Sequence, residues 1–272
     1  SQHIINYPKS LSASTYNLTI ESVINSFLKR NKRFSLQFAL APMISYRKLS
    51  ANKSFIASAA AASSPSSYAP LYDINSVVTH KPDLGFEFGL TSKYALASNF
   101  KIRAGLQFNI SRYAIKAFNS SYEMAKIDLK GSRGVDSVSV LSTHRNFSGY
   151  KSDWLQNFYF EVSMPVGVEV NIMGDDKVQF GVAGTIQPTY ILGDRAYLLS
   201  TDYKNYAEVP WLTRRWNVNA GLETFVSYST HKINWQVGPE VRYQLLSSFI
   251  SKYPVKENLF DFGLRVGISL NK

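Results

Sequence analysis

A membrane-spanning antiparallel up-and-down β-barrel of about eight strands is the fold this 272-residue sequence predicts. Three observations carry that expectation. Apolar and polar residues alternate with period two over stretches long for a soluble strand. In 100–111, Phe100, Ile102, Ala104, Leu106, Phe108 and Ile110 share one face; Lys101, Arg103, Gly105, Gln107, Asn109 and Ser111 share the other. Short and long connections alternate along the chain, which is the layout of an outer-membrane barrel and implies an even strand count. No run of about 18 apolar residues is present to make a spanning helix. With 0 Cys, disulfides, thiolate metal sites and thiol nucleophiles are excluded.

Residues 1–32 are Ser/Asn-rich with weak periodicity and read as a periplasmic lead-in, with a short helix near 19–30; they lack the pattern of a secretory leader. Residues 33–272 read as the barrel domain. Strands are expected near 33–47, 83–96, 99–117, 156–173, 177–192, 216–230, 233–249 and 258–271, each long enough to cross about 25 Å of hydrocarbon. Ala97-Ser98, Gly174-Asp175-Asp176 and Thr230-His231-Lys232 are tight turns. Long connections fall at 48–82, 118–155 and 193–215, with a shorter one at 250–257. They are expected to face outside, with both termini in the periplasm. The Ala/Ser/Pro-rich 57–69 reads as a flexible part of the first of them. Pro42, Pro165, Pro188 and Pro239 fall inside strands, where each removes a ladder donor, so each should mark a bulge or an unpaired spot.

A soluble calyx also alternates, but its apolar face points inward. The polar face decides between the two. It carries Glu87, Glu161, Glu169, Glu223, Glu240 and Asp261 against Arg47, Lys93, Lys101, Arg103, Arg242 and Arg265, together with many glycines. Small residues and charges of balanced sign suit a cramped lumen in which they pair. Counted up from the short turns, Arg103, Glu169, Glu223 and Arg265 form a lower layer; Glu87, Glu161, Glu240 and Arg242 form an upper one. Aromatics gather at strand ends: Tyr94, Phe100, Tyr228 and Trp235 on the short-turn side, and Trp154, Tyr190, Trp216 and Phe260 on the other. These read as interfacial girdles.

Several stretches resemble the outer-membrane β-barrel family of Bacteroidota: Met164-Pro165-Val166-Gly167-Val168-Glu169-Val170, Phe180-Gly181-Val182, Gln187-Pro188-Thr189-Tyr190, Val237 to Leu245, Tyr253 to Glu257 and Leu259 to Leu270. The resemblance covers roughly 33–272. In many relatives the barrel is the C-terminal module of a longer protein with an anti-sigma-like cytoplasmic segment, one inner-membrane helix and a periplasmic linker. The resemblance therefore implies a non-catalytic anchor or sensor module of a trans-envelope regulatory protein. Two other readings stand beside it: a stand-alone accessory subunit of an outer-membrane biogenesis, secretion or uptake complex, and an outer-leaflet lipid-modifying enzyme.

The enzymatic reading would need His80 or His144, which lie beside Thr79, Thr143 and Ser148 in the long connections; His3 and His231 lie elsewhere. No spacing singles out a base, an orienter and a nucleophile, so no catalytic residue is assigned. Asp175-Asp176 suits a turn, and Glu161 with Glu169 suits lumenal pairing. Asp128, Asp136 and Asp153 lack the dense spacing of a calcium loop. No metal or cofactor is expected. The cluster Lys29, Arg30, Lys32 and Arg33 reads as a periplasmic basic rim. The formal charge of +11 is scattered over loops and lumen, which argues against nucleic acid. Outer-membrane lipid and lipopolysaccharide are the expected surroundings. Aromatics in the long connections, Tyr150, Trp154, Tyr203, Tyr206 and Trp211 among them, form a candidate loop surface for protein partners, or else pack over the barrel mouth or extend hairpins above the membrane.

Overall fold

A computed structural model describes residues 33–60, 73–132, 134–175, 177–230 and 233–270. The expected helix near 19–30 and the basic residues Lys29, Arg30 and Lys32 lie outside them. The strand segments are β1 (Phe34–Ala51), β2 (His80–Ala95), β3 (Phe100–Lys130), β4 (Val135–Arg145), β5 (Lys151–Ser163), β6 (Val166–Gly174), β7 (Val178–Arg195), β8 (Tyr197–Leu199), β9 (Asn205–Glu208), β10 (Trp216–Ser229), β11 (Ile233–Gln244) and β12 (Val255–Leu270). The helix α1 (Lys53–Ala60) follows β1.

All pairings are antiparallel, and they close a ring. β1 pairs β2 and β12, β2 pairs β3, and the remaining wall runs β12–β11–β10–β7. Between β7 and β3 stand β5 and β6, which both pair those two neighbours and follow one another through Met164-Pro165. They are two halves of one stave. Among the described residues there are therefore twelve strand segments, more than the eight or so expected, and eight staves make the ring; β4, β8 and β9 lie outside it.

The pleat sorts side chains as the alternation requires. In β1, Phe34, Phe38, Leu40, Ile44 and Tyr46 are exposed on the outer wall, whereas Gln37, Ser45 and Arg47 are buried inside. The same inversion runs round the ring, as in Phe86 and Phe88 outside with Glu87 inside. An exterior that is apolar on every stave and an interior that is polar suit a sheet immersed in hydrocarbon, where closure into a ring leaves no free edge.

The four prolines sit in gaps of the ladder. Pairing of β1 with β12 lapses between Leu40↔Val266 and Met43↔Gly263, at Pro42. Pairing of β10 with β11 lapses between Glu223↔Glu240 and Val226↔Val237, at Pro239. Pro165 and Pro188 share the gap between Ser163↔Thr189 and Val166↔Ile186. Register is the same on either side of each gap, so these are unpaired spots and not bulges. The freed carbonyls are reused: Pro165 accepts from the Gly105 amide at 2.9 Å and Pro188 from Met164 at 2.9 Å.

The long connections are more ordered than expected. The stretch 118–155 is largely strand: β3 continues to Lys130 and returns as β4, an extension standing on the barrel. β9 pairs β4 and β8 pairs β9, which turns 193–215 into a small hairpin. Within 57–69, expected to be flexible, residues 57–60 belong to α1, which buries Phe55; the remainder is not described. The connection 250–257 already contains the start of β12. These pieces share one apolar core, with Phe55, Ile115, Ile127, Leu198, Tyr206 and Phe249 in it. The extension is pinned to the last connection by the Lys130 amide donating to the Lys252 carbonyl at 2.8 Å. The long connections thus form a folded cap.

Candidate functional site: a filled lumen beneath a folded cap

The lumen is built from inward positions of all eight staves. At its middle, Arg265 of β12 bonds Glu87 of β2 and Glu240 of β11, the latter at 3.1 Å, and lies 3.9 Å from Glu223 of β10. Arg103 of β3 bonds Glu223 at 2.7 Å. Arg242 of β11 bonds Asp261 at 2.6 Å and approaches Glu161 at 3.7 Å, and its guanidinium also donates to Ser111 at 2.9 Å. Toward the short turns, Glu169 holds Lys93 at 2.6 Å and Lys101 at 3.1 Å.

The two separate layers expected from strand counting are corrected here. Arg265, counted in the lower layer, pairs with Glu87 and Glu240 of the upper, because strand tilt brings staves at different heights into one cross-section. The charges form one interlocked column. Around Arg103, Gln107, Thr185, Gln187, Glu223 and Arg265 there is no room for a water molecule among the described residues. Glycine makes the filling feasible: a Cβ on Gly267 would lie 2.4 Å from Gln37 Nε2. Near the short turns a polar cavity of about 160 Å³ opens, lined by Arg33, Lys93, Lys101, Glu169 and Gln236. Arg33 is the one residue of the expected basic rim that is described.

The upper end holds a cluster that strand assignment hid. Glu257, placed by sequence in an outer connection, is fully buried in β12. It accepts from Arg47 Nη1 at 3.2 Å, the Tyr113 hydroxyl at 2.7 Å and the Tyr159 hydroxyl at 2.8 Å. The alternation Val255, Glu257, Leu259 was the available signal. The adjacent Tyr-Pro and Lys256 read as a loop and masked it.

Of the candidate loop aromatics, the structure separates two groups. Tyr150 is 85% exposed and Trp211 55%, while Trp154 carries the Lys81 ammonium 4.3 Å from its ring centre. Tyr203 and Tyr206 are only 8% and 1% exposed, so of the two readings they follow packing over the barrel mouth and belong to the cap core. Tyr206 donates to Asn146 Oδ1 at 2.7 Å, and burial pushes its hydroxyl up from the ordinary tyrosine range, against the nearby Arg47. Tyr197, on the edge of the same hairpin, is pushed up to about 12 by partial burial and by Glu208.

The sequence candidates for chemistry do not converge. His80 lies against Tyr46 with ring centres 4.9 Å apart. His144 meets Thr143 Oγ1 at 3.3 Å and the edge of Tyr197. No carboxylate hydrogen-bonds either ring among the described residues. Asp128 is buried in β3 near Lys126, Asp136 is on β4 and Asp153 on β5. No group of three metal-ligating side chains forms among the described residues. Asp175 accepts the Lys177 and Val178 amides at 2.9 and 2.7 Å, and these bonds hold its carboxyl below the usual range. Asp176 is not described.

A closed antiparallel ring with an apolar outer band, aromatic strand ends and a polar filled interior defines an outer-membrane-type β-barrel. No family model matches the chain, and no curated protein matches it. Among solved structures, Neisserial surface protein A is 12% identical, covers 88% of this chain and 97% of its own, and superposes with a TM-score of 0.40. Outer membrane protein OprG from Pseudomonas aeruginosa is 9% identical over 88% of this chain and 95% of its own, with a TM-score of 0.39. Ail, the attachment invasion locus protein of Yersinia pestis, crystallised with the heparin analogue sucrose octasulfate, is 9% identical over 86% and 97%, with a TM-score of 0.28. Likeness at this level says nothing about activity.

Proposed function

We propose that this chain is a non-catalytic, non-conducting outer-membrane anchor that displays a folded cap at the cell surface, with both termini in the periplasm. The observation that carries this reading is the lumen: ion pairs from Arg103, Arg242 and Arg265 fill the section through which a solute would pass. A buried charge network of this kind contributes specificity and closure more than stability. With the interior filled, contact with partners is left to the cap, whose exposed aromatics are Tyr150 and Trp211. The family resemblance of 33–272 extends the reading to the sensor module of a trans-envelope regulator. Such a module would pass a cap event through β1 to the periplasmic side at Arg33.

The chain has 0 Cys, so single cysteines report topology without background. Tyr150→Cys and Trp211→Cys should react with a membrane-impermeant maleimide on intact cells, and Asp175→Cys only after the outer membrane is opened. Labelling of Asp175→Cys alone on intact cells would reverse the orientation. An inner-membrane helix encoded upstream selects the regulator reading; a cleavable leader selects the accessory subunit.

A further inference from the structure

On the wall formed by β2, β3, β5 and β7, the apolar band ends at the paired residues Ile110 and Phe160, both lipid-facing. Two residues further along the same outward face, Arg112 pairs with Phe158, and Phe158 pairs with Arg195 of β7. The Arg195 guanidinium lies 5.3 Å from the Phe158 ring centre. Four residues beyond Arg112, Lys116 pairs with Trp154 and sets its ammonium 5.6 Å from the Phe118 ring centre. Lys81 of β2 reaches the Trp154 ring from the other side, at 4.3 Å. Four cations thus project sideways from one stretch of wall, where hydrocarbon gives way to headgroups.

The nearby carboxylates form no ion pair with them among the described residues; Glu208 bonds the Tyr197 hydroxyl. Asp83 accepts the Leu84 amide at 2.8 Å, Asp153 accepts the Trp154 amide at 2.7 Å, and Asp194 is ion-paired to Arg215 at 2.7 Å. Lys81, Arg112, Lys116 and Arg195 have no ion-pair partner among the described residues. Where the band ends on the opposite wall, the row is aromatic instead: Tyr46, Phe260 and Tyr243. Three of the four cations rest on aromatic faces, which aligns them without neutralising them.

We propose that this rim patch binds the phosphate groups of a phosphorylated glycolipid of the outer leaflet. The occupant follows from charge and place. The patch faces along the membrane and not into solvent, and it offers guanidinium and ammonium donors of the kind that phosphate oxygens accept. Its apolar lower edge, Ile110 and Phe160, continues into the zone of acyl chains. The proposal rests on the orientation given above, in which the cap end is outside.

The barrel purified in nonionic detergent would be mixed with bisphosphorylated lipid A or with the same lipid stripped of its phosphates, and retained lipid counted by native mass spectrometry. The parent and a cap control, Lys204→Gln/Lys252→Gln, should retain the bisphosphorylated lipid. Lys81→Gln/Arg112→Gln/Lys116→Gln/Arg195→Gln should retain at least about tenfold less, as expected when several cations facing a phosphate are removed. The stripped lipid should be retained by none. Heat-modifiable gel mobility checks folding. Should the fourfold variant fail to fold, Arg112→Gln/Arg195→Gln and Lys81→Gln/Lys116→Gln must each give an intermediate loss. Retention by the folded rim variants equal to the parent, or equal retention of the stripped lipid by the parent, overturns the proposal. Maleimide labelling tests the orientation separately, so failure of one is distinguishable from failure of the other.

Discussion

Glu257 offers the sharpest energetic test of how the barrel is closed beneath its cap. Its carboxylate is fully buried and accepts from Arg47, Tyr113 and Tyr159. The Arg47 side chain is itself only 3% exposed, with its guanidinium 4.8 Å from the Tyr113 ring centre. Glu257→Ala leaves that cation buried without its counter-charge, and stranding one member of a buried pair costs about 3–5 kcal/mol. The two phenol hydrogen bonds to a charged acceptor are each of order 1.5–3 kcal/mol, but they share the same carboxylate and do not add to that figure. Removing the charge on both sides, with Arg47→Met/Glu257→Gln, should return about 2 kcal/mol or more of the loss. The four tryptophans report urea unfolding from vesicles by fluorescence, with stability from linear extrapolation. A single-variant loss below about 1 kcal/mol, or two single losses that simply sum in the double variant, would refute the reasoning.

The cap should respond differently at its two classes of aromatic. Tyr206→Ala removes a fully buried ring and its bond to Asn146, so it should cost about 3–5 kcal/mol and open the β4–β9 region to protease. Tyr150→Ala and Trp211→Ala should fold as the parent does and lower only partner association, read by co-purification; parental protease resistance in Tyr206→Ala would contradict the buried assignment. In the turn after β6, Asp175 has a depressed folded-state value, so its support for the turn is complete above the unfolded carboxylate range. That support is lost as pH falls through the lower folded value. Protection of the Lys177 and Val178 amides should accordingly drop at acid pH in the parent and be low at all pH in Asp175→Ala; equal protection in both would show that the side chain does not hold the turn. At the neighbouring Gly174, φ is +130° and an added Cβ would lie 2.2 Å from the Val178 carbonyl oxygen, so Gly174→Ala should slow barrel assembly, measured by the rate at which heat-modifiable product appears.

The ring and its faces were legible because period-two alternation is an unambiguous statement about a two-sided sheet. Phe86-Glu87-Phe88 and Leu264-Arg265-Val266 each place a charge between apolar neighbours; a soluble calyx alternates too, and the small residues and balanced charges of the polar face separate the two. The cap was not legible, for the opposite reason. Above the membrane both faces of a strand meet protein or water, so the alternation fades: Tyr113, Ala114 and Ile115 are all buried in succession. Without the pattern, 118–130 read as loop although it continues β3. The same loss left Tyr203 and Tyr206 undecided between a surface and packing over the mouth; a hairpin folds them inward. Which Glu meets Arg265 was not legible, since the pairing depends on tilt and shear, and neither is written in any single strand.

Electrical measurement in planar bilayers tests the central claim most directly. Around Arg265 the interlocked column leaves no room for a water molecule among the described residues, whereas a cavity opens near the short turns. The purified barrel, shown folded by heat-modifiable mobility, is predicted to give a bilayer current indistinguishable from protein-free membranes at moderate voltage. A steady open conductance of porin size would contradict the account and make this chain a channel.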